Sequence, residues 1–222
     1  MEMKKARFAV YLAEWFDGHF ADTAISIFSK WKNRKILKLV TPEQRKLIKN
    51  ASHIELWLPN VHGKFEHFDT MLVSDEEIMS DGTTYTSSMR GDRKGTCKRP
   101  ASETLKNPGR WIYFEFEYPA EVHDEWIAYM DNKVENNQGY DKRLILGFLI
   151  GNVKSRDGKE ICSENVQDNI IEMGKIIEKS MVIPDSLKEY FLSCFIHNCF
   201  IVPDPLQIAI MLCLAGFEPK KL

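Results

Sequence analysis

Seven residues, Ser52-His53-Ile54-Glu55-Leu56-Trp57-Leu58, alternate between two kinds of side chain and stop at Pro59-Asn60. Strict alternation marks a β-strand, because successive side chains along a strand point to opposite sides of the sheet. The alternation puts His53, Glu55 and Trp57 on one face and Ile54, Leu56 and Leu58 on the other. The chain therefore has to build a sheet with an apolar core under one face of this strand. On the other face a titratable ring, a carboxylate and an indole stand in a row.

The rest of the sequence supplies the partners. Arg7–Leu12 and Thr83–Ser88 have the β-branched and aromatic content of strands, the second entered through the turn signal Asp81-Gly82. Trp111–Tyr118 is the clearest further strand. Helical spacing runs through Asp22–Trp31, through Pro119–Glu135 with Val122, Trp126, Ile127 and Met130 on one stripe, and through Cys162–Lys179 with Val166, Ile170, Met173 and Ile177. Thr41-Pro42-Glu43-Gln44 reads as a helix start, with proline at the first helical position and an acidic first turn. Further helices are expected at Ser186–Ile196 and at Pro205–Ala215, the last ending on Gly216. Residues 60–80 read as an insertion with a hairpin over Phe65–Val73, and Met89–Asn107 as a polar loop. With no internal repeat, these elements make one α+β domain over residues 1–222: a small antiparallel sheet packed against a nucleophile-bearing helix, with extra C-terminal helices over about 183–222.

Composition narrows the function classes. A chain of 222 residues with 44% hydrophobic and 28% charged residues is long enough to bury a full core without covalent staples. Five cysteines at irregular spacing argue against a disulfide framework and for a reducing compartment. The formal charge of −2 gives no overall electrostatic footprint for nucleic acid or an anionic membrane. The basic stretch Lys30–Lys49 is a local exception, read here as a solvated helix face. Met1–Ala13 has no signal-peptide core, and no apolar run reaches the roughly 18 residues that span a bilayer. A cytoplasmic protein without stable membrane insertion is the expectation.

The residues with chemistry to offer are Cys162 and His53. A thiol becomes a nucleophile when its thiolate is favoured, and unpaired N–H groups and the macrodipole at a helix start favour it. Cys162 opens an amphipathic helix, with Ser163 and Glu164 behind it at positions where caps and acidic groups stabilise. Taken singly, Cys162 is better explained as a small buried hydrophobe and His53 as a satisfied core histidine.

Their order along the chain adds to this. Ser52-His53-Ile54-Glu55-Leu56 comes first, then Asp81–Ser88 with Arg90-Gly91-Asp92 behind it. Gly139-Tyr140-Asp141 follows, running into Leu146-Gly147-Phe148, and Cys162-Ser163-Glu164 comes last. This series resembles the circularly permuted papain-like peptidases of the NlpC type, the YiiX and YebB sort found in bacteria and phages. It is also similar in order to the lecithin retinol acyltransferase-like proteins. The resemblance spans roughly Arg7–Ile171.

It implies a permuted papain-like fold and a Cys-His pair without a cofactor, in which His53 takes the thiol proton and Cys162 attacks a carbonyl to form an acyl-enzyme. The N–H of Cys162 would contribute to an oxyanion hole. A third polar group should orient the histidine. Ser88 or Ser87 is the first choice by position, and Glu55 the second, since two side chains on one strand rarely align for such a bond. Tyr140, Asp141, Ser52, Ser163 and Glu164 would shape the substrate pocket. The chain departs from the family in carrying Glu160-Ile161 where an aromatic often precedes the cysteine. It also has a longer stretch after the His strand, from which His62, Glu66 or His67 could supply the orienting group instead.

The implied substrate is a peptide or peptidoglycan amide, with a lipid acyl group as the alternative. A catalytically silent papain-like module binding a host protein is a reading from a different class; a phage origin would place it in the host cytoplasm. Cys194, His197 and Cys199, with His62 and His67, lack the paired short spacings of a zinc site and sit among core residues, so no metal is expected.

Overall fold

The computed structural model describes residues 2–14, 20–59, 82–89, 94–136, 139–141, 143, 158–180 and 203–222. The expected hairpin at Phe65–Val73, the apolar segment Leu144–Ile150, the helix at Ser186–Ile196 and the Cys194/His197/Cys199 group with His62 and His67 lie outside these residues.

The architecture is α+β. Six strands form an antiparallel sheet in the order β4-β3-β2-β1-β5-β8: β1 Met3–Leu12, β2 Ala51–Leu58, β3 Thr83–Ser88, β4 Gly95–Pro100, β5 Trp111–Pro119 and β8 Lys220–Lys221. A two-residue parallel pair, β6 Gly139–Tyr140 and β7 Lys159–Glu160, stands apart from it. The helices are α1 Phe20–Lys32, α2 Pro42–Ile48, α3 Ala101–Thr104, α4 His123–Glu135, α5 Cys162–Ser180 and α6 Pro205–Leu214.

The alternation of β2 partitions as its sequence requires. Ile54, Leu56 and Leu58 are fully buried in the main core with Phe8 and Val10 of β1, Ile112 and Phe114 of β5, and the inner faces of α4, α5 and α6. Trp57 belongs to a second cluster on the opposite face with Tyr11, Trp111, Tyr113 and residues of the α3 region. Arg7 lies over the Trp57 ring, 4.3 Å from its centroid.

Local chemistry sets several boundaries. Thr41 and Gln44 form a reciprocal capping box at α2, with Pro42 at the first position. Gly82 enters β3 at φ +106°, and a Cβ there would stand 2.1 Å from the Leu58 carbonyl oxygen, so only glycine fits. Asp204 caps α6 through the Gln207 N–H and also accepts from Asn33 Nδ2 at 2.8 Å, which ties α6 to the end of α1.

One expectation is corrected. The stretch Met89–Asn107 contains β4 and α3, because Gly95–Pro100 pairs in register with all of β3, from Ser88↔Gly95 to Thr83↔Pro100. β4 is an edge strand whose outer half carries Lys98 and Arg99, so its polar composition concealed it. The C-terminal helix expected at Pro205–Ala215 is α6, Pro205–Leu214. Leu206, Ile208 and Ile210 of α6 are fully buried in the main core, and β8 adds a strand beside β5. Among the described residues, no helix is long and apolar enough to cross a membrane.

Candidate functional site

β2 delivers His53 near the end where the sheet opens. Its ladder with β3 runs from Leu58↔Thr83 to Leu56↔Tyr85, so residues 51–55 extend beyond it. On the other side the register with β1 slips: Tyr11 pairs with His53 but Leu12 with Ala51, leaving Ser52 as an extra residue. Such a bulge bends a strand and re-aims the adjacent side chain. α5 packs across β2 and β3, and its first residue is Cys162.

The His53 ring is hydrogen-bonded to two side chains, with Nε2 2.8 Å from Glu55 Oε1 and a second bond to Cys162. The Trp111 ring stands edge-on to the imidazole, centroids 6.4 Å apart. Burial disfavours a charged imidazole, but negative charge on Cys162 and Glu55, with the bonds they accept, outweighs it and raises the His53 pKa to about 10. The ring is therefore an imidazolium at neutral pH, set between the Glu55 carboxylate and the Cys162 sulfur.

The start of α5 is held by a dense polar network. The Ile161 N–H donates to Glu164 Oε2 at 3.0 Å, the acidic half of a capping box. Ile161 itself has no side-chain acceptor for the N–H groups of the first turn, which leaves them directed at the cysteine end of the helix. Just before it, Glu160 is buried and fully engaged. Its carboxylate accepts from Thr96 Oγ1 at 2.5 Å, Asn165 Nδ2 at 2.7 Å and Lys133 Nζ at 2.8 Å. Its carbonyl accepts from Ser87 Oγ at 3.0 Å and from the Asp141 N–H at 3.1 Å. Lys133 is pulled two ways: burial opposes its charge, and Glu160 and Asp168 restore and exceed it, so its pKa is raised.

The sequence candidates thus fall into groups. Cys162, His53 and Glu55 are in direct contact. Glu55, the second choice for orienting the histidine, is the residue bonded to its ring. Ser87, one of the two first choices, donates instead to the backbone before Cys162. Ser88 is buried at the end of β3. Tyr140 pairs with Glu160 in the β6–β7 ladder, and Asp141, which follows it, donates its N–H to the Glu160 carbonyl. Glu164 caps α5. Ser163 Oγ, Ser52 Oγ and Glu55 Oε2 are buried with no hydrogen-bond partner among the described residues, and they are three oxygens within one residue of, or belonging to, the contacting set.

Sequence reasoning missed Lys133, Thr96 and Asn165. Lys133 lies 27 residues from Glu160 in the chain, on a helix face that reads as solvated. The signal that was present is Glu160 itself, a carboxylate directly before the candidate nucleophile's helix. Among the described residues, no group of three or more His, Cys, Asp or Glu is arranged to hold a metal ion, and Cys97, Cys162 and Cys213 are in no disulfide.

Chemically, a cysteine sulfur at a helix start, its proton held by an imidazole that a carboxylate anchors, is equipped for nucleophilic attack followed by proton donation. No family model matches the chain, and neither curated proteins nor solved structures give a match.

Proposed function

We propose that the chain is a thiol hydrolase on a permuted papain-like architecture, cleaving an amide bond of the peptide or peptidoglycan kind. Cys162 is the nucleophile, His53 the acid and base, and Glu55 the group that orients and charges the ring. The supporting observation is the chain of contacts Cys162–His53–Glu55, with the cysteine as the first residue of α5. The order of elements, with the histidine strand before the cysteine helix, agrees with the resemblance noted in the sequence.

The Cys162 thiol proton resides on the His53 ring, so the sulfur attacks the carbonyl carbon as the thiolate, and the oxyanion forms against the N–H groups at the start of α5. An amine is a poor leaving group unless it is protonated as the C–N bond breaks. A ring that holds its proton up to about pH 10 is suited to donate it. Having lost the proton, His53 then accepts one from water, which cleaves the thioester and frees Cys162. Glu55 stabilises the charged ring at both ends of the cycle without itself taking the proton.

The test is to incubate the protein with a panel of peptide amides, muropeptides and simple esters and to follow its intact mass. The expected result is turnover of an amide, with an acyl adduct that maps to Cys162 and is absent from Cys162→Ala. Turnover that survives Cys162→Ala, or no adduct and no turnover across the panel, overturns the reading.

A further inference from the structure

The segment from Lys30 to Lys49 carries eight lysines and arginines against one carboxylate, Glu43, in a chain whose net charge is −2. The rest of the molecule is correspondingly acidic, so positive charge is concentrated on the end of α1, the turn after it and α2. Arg34, Lys35, Lys38, Lys46 and Lys49 of this segment are exposed.

Large apolar side chains stand exposed in the same place. Trp31 is 64% exposed, Leu39 67%, and Ile27, one turn before Trp31 on α1, 41%. These are three of the five large exposed hydrophobics among the described residues. Leu39 is held outward by construction. Its neighbours Leu37 and Val40 are buried in the main core. Arg45 clamps the turn by donating to the carbonyls of Leu37, Lys38 and Val40 at 2.9, 3.2 and 3.2 Å. A turn pinned in this way cannot fold Leu39 under, so its exposure is a feature of the folded state. The Arg34 guanidinium sits 5.4 Å from the Trp31 ring centroid, joining the charge to the indole.

A solvated helix face gains nothing from an exposed indole and leucine. A surface that combines cations with an aromatic and aliphatic side chains matches the boundary layer of an anionic bilayer, where the apolar groups enter the headgroup region and the cations meet the lipid charges. A nucleic-acid backbone would use the cations but offers nothing to Leu39 or Ile27, and the cores of protein interfaces are depleted in lysine.

We propose that the face formed by the end of α1, the Lys35–Val40 turn and α2 docks the protein peripherally on an anionic phospholipid surface. Trp31 and Leu39 insert, and Arg34, Lys35, Lys38 and Lys46 supply the charge. The docking is independent of the hydrolase reading, although α1 also packs against β2, which carries His53.

The test uses the full chain and co-sedimentation with vesicles of phosphatidylcholine, alone or mixed with an equal amount of phosphatidylserine. Three proteins are compared with wild type: the triple variant Lys35→Glu, Lys38→Glu, Lys46→Glu; the double variant Trp31→Ala, Leu39→Ala; and Cys162→Ala. The expected result is binding only to the phosphatidylserine vesicles, weakened by added salt and reduced at least about tenfold in each surface variant. Cys162→Ala should bind as wild type does, whatever becomes of the hydrolase reading. The substituted surface residues are exposed, and unchanged thermal unfolding verifies that the variants are folded. Equal retention on both vesicle types, no retention on either, or binding indifferent to both surface variants overturns the proposal. So does capture of a single-stranded oligonucleotide with the same variant dependence while the vesicles are ignored.

Discussion

Glu55 Oε1 stands 2.8 Å from His53 Nε2, a hydrogen bond between two side chains on the same face of one strand. Same-face neighbours on a regular strand are nearly 7 Å apart at their Cα atoms, so the contact needs help from the backbone. The slipped register opposite His53, with Ser52 as the extra residue, is the local feature that re-aims the ring.

Because Glu55 acts through the ring, its removal should change the rate more than the binding of substrate. Glu55→Ala is expected to lower kcat on the order of 10²-fold with KM little changed. Glu55→Gln, which keeps an acceptor but removes the charge, should fall between. In both, the alkaline limb of the kcat/KM profile should move to lower pH, which a merely structural role would not produce.

The charged state of His53 has a stability signature. Its pKa is raised from 6.5 in the unfolded chain to about 10 in the fold, where burial opposes the charge but Cys162 and Glu55 outweigh it. A raised basic group contributes stability that is complete below the unfolded value and lost as pH rises through the folded one. Unfolding free energy should therefore decline between about pH 6.5 and 10 in wild type. In His53→Ala the slope in this window should be smaller, as read by denaturant titration at a series of pH values.

Glu160 and Lys133 form a buried pair whose other bonds are also made, so breaking it should be costly. Lys133→Met leaves a carboxylate in the interior with Thr96 and Asn165 alone, and is expected to cost about 3–5 kcal/mol in unfolding free energy. Combining it with Glu160→Gln removes the stranded charge and should recover a substantial part of that loss. If the two changes simply add, the carboxylate is not held by Lys133.

Gly82 is the backbone test of the sheet. An alanine at φ +106° is strained by about 1–3 kcal/mol, and its methyl would meet the Leu58 carbonyl oxygen. Gly82→Ala should therefore destabilise by at least that amount, whereas Gly109→Ala, with open space around it, should have little effect.

What could be read from the sequence was what depends on period. The alternation of Ser52–Leu58 and the helical stripe from Val166 to Ile177 located β2 and α5, and with them His53 and Cys162. The features that escaped depend on the third dimension. β4 is polar and becomes a strand only through its register with β3. Glu55 ranked second because regular strand geometry forbids what the slipped register allows. Lys133 reaches Glu160 only after α4 has folded across the sheet, and no spacing rule connects the two.

The central claim, that His53 activates Cys162, is tested most directly by alkylation. Wild type and His53→Ala are treated with iodoacetamide at neutral pH, followed by intact mass, and the modified cysteine is mapped. The account predicts that Cys162 is modified ahead of Cys97 and Cys213, and that losing His53 slows it on the order of tenfold or more. If Cys162 is modified no faster than the other cysteines and His53→Ala changes nothing, the account is wrong.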